Sequence, residues 1–190
     1  GTPLVGVHLD RWIGLRRERE IATEPYFRVP LLLTADGGHQ EEWAAYGVKH
    51  RWLPPAVSEF ECIGGTPREE WRSEIAFVGS EDYGHREWTH RGEMIRFLRD
   101  TYGDRFRTFP GIGQPAIRGA DLRDLYASVD VAVGDSCLVP NPDGSPVSAY
   151  VSDRCPETIG RSCLLLHPYV EGITDGTMFT PGEHMDTWML

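Results

Sequence analysis

The chain has almost no lysine and no apolar run long enough to cross a membrane. Lys49 is the only lysine, and the 19 basic residues are outnumbered by 29 acidic residues, so the formal net charge is -10. Because a general nucleic-acid binder needs a basic face to displace counterions, this charge argues against that class. A membrane span needs about 20 apolar residues, and neither such a run nor a signal peptide is present. We therefore expect a soluble, cytoplasmic protein that binds no nucleic acid.

Metal-binding and redox cysteine patterns are also missing. The four cysteines form no C-x-x-C pair and no zinc-type spacing, so we expect free buried thiols in a reducing compartment. They are Cys62, Cys137, Cys155 and Cys163. The remaining basic residues are arginines, whose planar guanidinium suits bidentate phosphate contacts, although a biased genome composition explains this excess equally well.

Several catalytic signatures are missing as well. The sequence contains no His-Glu-x-x-His zinc motif, no serine nucleophile elbow and no Walker phosphate loop. It has no Asp-x-Asp pair to clamp a metal-bound sugar nucleotide, and no paired carboxylates stand out for glycoside hydrolysis. We therefore expect no metal site and no cofactor.

Short apolar runs alternate with longer amphipathic segments, which is typical of a parallel sheet covered by helices. The pattern predicts a Rossmann-like, doubly wound α/β fold. A helix is predicted from Trp88 to Tyr102, a second begins near Asp121, and residues 141–148 should form a loop. Seven strands are predicted, at residues 4–9, 31–34, 48–53, 74–78, 106–109, 130–133 and 163–167.

A change of character near Pro25 and Pro30 predicts a domain junction. We expect residues 1–27 to be the tail of a preceding, acceptor-side domain together with the interdomain linker. Residues 28–190 should form one parallel sheet with helices on both faces, a nearly complete but truncated domain, with the strand at residues 4–9 outside it. Since the chain opens with Gly-Thr-Pro directly before an apolar run, we expect a fragment of a longer protein whose amino-terminal domain is missing.

The apolar segment that ends in Gly79 and Ser80 is a candidate phosphate site. Ligands of open α/β sheets lie beyond the carboxyl ends of strands, and a glycine there lets a phosphate approach backbone N–H groups. A tight turn explains the same glycine without any ligand.

A second candidate begins before the last apolar strand. Pro156 suits the first position of a helix, which would leave Arg154 and Glu157 near its first turn. Arg154 could bind a diphosphate there, and Glu157 could accept hydrogen bonds from ribose hydroxyls. A surface salt bridge between these two residues is the alternative. Because both candidates follow strands of one predicted sheet, we expect Gly79, Arg154 and Glu157 to line one cleft.

Two other patterns compete for a function. The segment from Gly111 to Ala116 fits G-x-G-x-x-A, and Asp135 follows at a distance suited to a dinucleotide ribose, which would indicate an NAD-type oxidoreductase. Pro115 and Gly119 interrupt it where a helix should begin, which disfavours that interpretation.

His8 and Asp10 close the first strand at the predicted domain junction. In a cleft between domains they could act on an acceptor or contact the donor. A local hydrogen bond between them is the simpler explanation.

The order of these segments resembles the spore maturation protein CgeB-like glycosyltransferases, relatives of the group 1 and retaining GT-B enzymes, which have two facing α/β domains. The resemblance covers the chain from about Pro3 to Trp188. It is carried by "LLLTAD", "GVKHRWLPPAV", "EIAFVGS", "ADLRDLYASVDVAVGDS" and "SDRCPETIGRSCLLLHP", with "EGI" behind them.

The resemblance implies the carboxyl-terminal, donor-binding domain of a GT-B glycosyltransferase. Such an enzyme moves a sugar from a nucleoside-diphosphate sugar to an acceptor hydroxyl without a metal, and related enzymes retain the anomeric configuration. It implies that Arg154 contacts the phosphates and Glu157 the ribose. The other implied donor-site residues are Gly79 with Ser80, Arg91 with Arg86 as the fallback, and Gly160 with the adjoining Arg161.

Two departures from the family pattern affect this inference. Ala149 stands where retaining enzymes often have a second glutamate, so sugar recognition must differ, and Ser162 and Cys163 stand where a glycine is expected. A non-catalytic nucleotide-binding or scaffolding domain therefore stays open beside the oxidoreductase. The isolated chain could bind a nucleotide and transfer nothing.

Overall fold

The computed structural model describes residues 4–81, 90–136, 138 and 147–188, which contain two purely parallel sheets. The first has the order β1-β2-β3 and the second β5-β4-β6-β7-β8. The strands are β1 (Val5–His8), β2 (Leu31–Thr34), β3 (His50–Trp52), β4 (Ser73–Val78), β5 (Phe106–Phe109), β6 (Val129–Val133), β7 (Leu164–Pro168) and β8 (Asp186–Trp188). The α-helices are α1 (Gln40–Ala45), α2 (His90–Tyr102), α3 (Gly119–Ala127) and α4 (Arg154–Gly160). Short 3-10 helices lie at Arg16–Ala22, Pro25–Arg28, Glu59–Glu61, Glu69–Trp71 and Gly103–Arg105.

Helices cover both faces of the second sheet. Successive residues of a strand point to opposite faces, and Ala76 of β4 packs in the same cluster as Leu125 of α3. Its neighbour Phe77 packs instead with Ile95 and Leu98 of α2. The predicted α/β fold, a Rossmann-like parallel sheet with helices on both faces, is therefore confirmed for this part of the chain.

The prediction that residues from 28 onward form a single sheet, with the strand at residues 4–9 outside it, is wrong. Val5–His8 pairs in parallel with Leu31–Thr34, and His50–Trp52 completes a separate three-stranded sheet. The segment between β1 and β2 folds into 3-10 helices that pack on Leu32. Pro25 and Pro30 thus lie in the connection between the paired strands β1 and β2. The chain passes from the first sheet to the second after β3.

One strand that was not predicted and the start of one helix also differ from the sequence interpretation. β8 was missed, because three residues at the edge of a sheet are too short to show an alternating pattern. Helix α4 begins at Arg154, with Asp153 accepting a hydrogen bond from the Arg154 N–H at 2.9 Å. Pro156 is consequently its third residue, still within the turn whose N–H groups need no helical partner. The start of the predicted helix at residues 88–89 and most of the predicted loop, residues 141–146, lie outside the described residues.

The two sheets meet through a shared hydrophobic cluster. Ala35, which follows β2, packs in one cluster with Tyr150 and Leu165. The Gly37 N–H donates to the Ala149 carbonyl at 3.2 Å, and a Cβ at position 37 would lie 2.8 Å from that oxygen. The carboxyl end of β2 therefore contacts the segment that leads into α4.

Within the part of the chain that the structure describes, no helix combines the length and the apolar character that crossing a bilayer requires.

Candidate functional site

A cleft of about 640 Å³ opens at the carboxyl edge of the second sheet. Its walls come from the loop after β4, the loop between β5 and α3, and the start of α4. In an open parallel sheet these loops share one edge, where ligands bind. The polar lining includes Ser80, Arg91, Arg118, Asp153, Arg154 and Glu157.

The expected neighbours do share this cleft. Gly79, Ser80, Arg154 and Glu157 all line it, so their predicted placement is confirmed. β4 lies directly beside β6, the strand that precedes α4 in the chain, which brings the two loops together. Their roles in binding a ligand stay a prediction.

The close approach of the Arg154 guanidinium requires a glycine at position 79. A Cβ at this position would clash with Nη1 of Arg154 and would lie 3.2 Å from the ring of Phe77. The glycine backbone therefore leaves room for the guanidinium. This places a cation directly beside the carboxyl end of β4.

Two guanidinium groups in the cleft have no carboxylate partner among the described residues. Arg118 and Arg154 both line the cleft, and neither forms an ion pair there. Sequence reasoning missed Arg118, which lies in extended conformation directly before α3. The available signal was an arginine between a strand-end loop and a helix start, which the Gly-x-Gly pattern beside it obscured. A guanidinium of this kind can bind an oxygen of a phosphate or carboxylate group.

Glu157 is a half-buried carboxylate on the wall of the cleft. Burial raises its pKa, and the charge of Arg161 opposes the shift. The Oε1 atom of Glu157 lies 3.9 Å from Nη1 of Arg161, whereas Glu157 and Arg154 form no ion pair. The surface salt bridge that stood as the alternative is therefore not formed. A carboxylate in this state can accept hydrogen bonds from hydroxyl groups of a ligand.

Arg91 does not present a free charge to the cleft. Its Nε and Nη2 donate to the two carboxylate oxygens of Asp135 at 2.7 and 2.9 Å, in a pair that is almost fully buried. Its Nη1 donates to the Ser80 carbonyl at 3.2 Å. Arg91 therefore holds the loop after β4, and its expected contact with a phosphate stays a prediction. Arg86, the fallback, lies outside the described residues.

Gly160 and Arg161 lie one turn farther along α4 and do not line the cleft. A Cβ on Gly160 would lie 2.9 Å from Sγ of Cys62, so this glycine allows the contact of α4 with a neighbouring segment. Arg161 is buried and its Nη2 donates to Glu61 at 3.0 Å. Gly160 and Arg161 thus close the carboxyl end of α4 and pack it on a neighbouring segment, and their expected role at the donor stays a prediction.

His8 ends β1 of the first sheet, Asp10 follows two residues later, and neither lines the cleft. The Asp10 backbone N–H donates to Nδ1 of His8 at 3.1 Å, while the Asp10 carboxylate is exposed and 3.7 Å from Arg17. Burial lowers the pKa of His8 more than the Asp10 charge raises it. The pair forms a local hydrogen bond, as the simpler explanation held, through the Asp10 backbone N–H and not through its carboxylate.

The dinucleotide pattern does not assemble a dinucleotide site. The loop from Gly111 to Ala116 lines the cleft, but it follows β5, the edge strand, and α3 begins only at Gly119. Asp135 follows β6, which is separated from β5 by β4, and its carboxylate is held by Arg91. The fingerprint requires a helix that starts within the motif and an acidic residue available to the ribose.

The sequence matches no model of a protein family, and no curated protein is significantly similar to it. Any functional conclusion therefore depends on the chemistry of the cleft.

Proposed function

We propose that the cleft binds a nucleoside-diphosphate sugar and that this chain is the donor-binding part of a metal-independent glycosyltransferase, of the GT-B type that its segments resemble. The observation that carries the proposal is the meeting of three features in one cleft. These are a strand-end glycine, two arginines that form no ion pair with any described carboxylate, and a half-buried glutamate.

Each feature matches one part of such a donor. Arg154 beside Gly79, with Arg118 on the facing loop, supplies positive charge for a diphosphate. Glu157 supplies an acceptor for ribose hydroxyls. The volume of about 640 Å³ falls within the range of about 300–1,000 Å³ found for small-molecule sites, which accommodates a nucleotide sugar.

The same groups suit the chemistry of transfer. An acceptor hydroxyl attacks the anomeric carbon of the sugar, the bond from that carbon to the diphosphate oxygen breaks, and the hydroxyl proton is released. Negative charge grows on the leaving diphosphate, and fixed guanidinium groups stabilise it. Arginines already positioned in the cleft therefore lower the barrier without reorganising.

A ligand panel tests the proposal. Thermal unfolding is followed with UDP, GDP, ADP and dTDP, with the matching nucleosides, and with NADH. We expect one diphosphate to raise the Tm more than its nucleoside, since binding at 100 times Kd adds about 2.7 kcal/mol to the free energy of unfolding. Stabilisation by NADH alone would contradict the proposal and support an oxidoreductase.

A second step separates an enzyme from a binding domain. The sugar nucleotide of the selected base is incubated with the protein, and release of the nucleoside diphosphate is measured over time. If the wild type releases the nucleoside diphosphate faster than the Arg154→Ala variant does, the result supports transfer or slow donor hydrolysis by this site. Tight binding with no release would identify a nucleotide-binding domain that does not catalyse.

A further inference from the structure

A buried serine and histidine lie beneath the cleft and take no part in its wall. The Oγ of Ser136 is 2.5 Å from Nε2 of His167, and the two residues are 3% and 1% exposed. An enclosed cavity of about 20 Å³ is lined by both residues together with Ser152 and Arg154. Nothing in the sequence interpretation gave either residue a role.

The hydrogen bonds of this pair have a fixed direction. Nδ1 of His167 lies 2.8 Å from the Pro168 carbonyl, which can only accept, so Nδ1 carries the hydrogen. Burial lowers the pKa of His167 to about 4, so the neutral ring accepts at Nε2 and the Ser136 hydroxyl donates to it. The Ser136 oxygen then accepts from the Ser152 N–H at 3.0 Å.

The backbone at Ser136 is unfavourable for a serine. Its φ is +46°, in the left-handed region that favours glycine. A glycine would relieve this conformation but would lose the hydroxyl that joins His167 to Ser152. The serine at this position supplies the hydroxyl that joins His167 to the Ser152 N–H.

Ser152 begins the turn that carries two cleft residues. Its carbonyl accepts from the Cys155 N–H at 3.1 Å, and the Asp153 carbonyl accepts from the Glu157 N–H at 3.1 Å. Holding the Ser152 N–H therefore fixes the start of α4, from which Arg154 and Glu157 extend. Because Ser136 is almost fully buried and its oxygen is occupied, it does not serve as a nucleophile.

We propose that Ser136 and His167 are positioning residues that hold the start of α4 so that Arg154 and Glu157 face the ligand. This inference builds on the proposed function, because the ligand is the proposed nucleoside diphosphate. The pair acts through Ser152 and touches no reacting atom.

The test uses Ser136→Gly, which removes the hydroxyl and relieves the backbone. Ser162→Gly is the matched control, since Ser162 also has a positive φ of +62° but is exposed and outside the cleft. Calorimetry should show about fivefold to tenfold weaker UDP affinity for Ser136→Gly, the effect of losing a net hydrogen bond. Ser162→Gly should bind as the wild type does.

A double variant distinguishes positioning from a general loss of stability. In an Arg154→Ala, Glu157→Gln background, Ser136→Gly should cause no further loss of UDP affinity, because its effect passes through those two residues. A fully additive loss in this background would overturn the proposal, as would wild-type affinity of the single variant. If UDP fails to bind, the diphosphate that the ligand panel selects is used instead.

Hydrogen exchange measures, without a ligand, how firmly the start of α4 is held. The amides of Cys155 and Glu157 should exchange at least about tenfold faster in Ser136→Gly, while those of β4 keep their wild-type rates. If the wild type binds no nucleoside diphosphate, the proposed function fails, and this measurement still decides the positioning role. Unchanged exchange at the start of α4 would overturn it.

Discussion

At residue scale, the contact between Gly79 and Arg154 is open to a direct test. Gly79→Ala places a methyl group where the guanidinium lies. Because an arginine side chain is flexible, we expect the fold to survive and the guanidinium to move, while the φ of +156° strains the alanine backbone. The affinity for a nucleoside diphosphate should fall by more than about tenfold, since hydrogen bonds to charged groups contribute about 1.5–3 kcal/mol.

Gly92→Ala is the control for this change, since position 92 in α2 has open space around it. Alanine should stabilise the helix by up to about 1 kcal/mol and leave ligand affinity unchanged. Calorimetry and thermal unfolding measure the two effects. Equal ligand affinity for Gly79→Ala and the wild type would show that Arg154 does not bind from its observed position.

The Glu157 carboxylate, which we propose binds the ribose, should lower the stability of the ligand-free protein. Burial raises its pKa, so the folded state binds protons more readily and the free energy of unfolding falls as the pH rises through the shifted pKa. At neutral pH the ionised carboxylate therefore costs stability. Glu157→Gln should raise the Tm of the ligand-free protein by about 1–2 °C.

This gain should vanish in acid, below the pKa of the unfolded state, where the carboxyl is protonated in both states. Thermal unfolding at neutral pH and at about pH 3 measures the difference. Glu183→Gln, at an exposed position outside the cleft, should leave the Tm unchanged. A lower Tm for Glu157→Gln at neutral pH would mean that Arg161 holds this carboxylate as a structural partner.

At the scale of elements, the pair of Arg91 and Asp135 ties α2 to the end of β6. Arg91→Met removes the guanidinium that binds the buried Asp135 carboxylate, and breaking such a buried pair typically costs about 3–5 kcal/mol. Arg99→Met, on the same helix, breaks the pair with Glu81, in which the arginine side chain is 55% exposed, and should cost about 0–1 kcal/mol. Urea unfolding measures both. Unchanged stability of Arg91→Met together with lost nucleotide binding would restore Arg91 as a phosphate ligand.

The positions of strands were predictable from the sequence, but their partners were not. A buried strand such as Ser73–Val78 shows as a short apolar run, whatever lies beside it. The pairing of Val5–His8 with Leu31–Thr34 depends on how the intervening segment packs, which no local pattern records. Helix α4 begins two residues before Pro156, the start that the sequence indicated, because Asp153 caps the helix.

At the scale of the whole molecule, the candidate site was predictable only where chain order determined it. Gly79 and Glu157 follow strands of one parallel sheet, which places both at one edge. Ser136 and His167 are joined by a contact between distant segments, so their sequence neighbours gave no signal. The signal at Arg118, an arginine directly before a helix start, was obscured by the Gly-x-Gly pattern beside it. The charge of Arg91 is likewise paired with Asp135, which lies 44 residues farther along the chain and could not be recognised as its partner from the sequence.

The most direct test of the central claim is calorimetric titration of UDP and uridine, or the pair that the thermal panel selects, against three variants. Arg154→Ala should weaken diphosphate binding by about 1.5–3 kcal/mol and leave nucleoside binding unchanged, because only the diphosphate contacts the guanidinium. Glu157→Gln should weaken both ligands by similar factors, because both carry the ribose. Arg96→Ala removes an exposed charge outside the cleft and should change neither. Wild-type affinities for Arg154→Ala and Glu157→Gln would contradict the account, because the cleft would then not be the donor site.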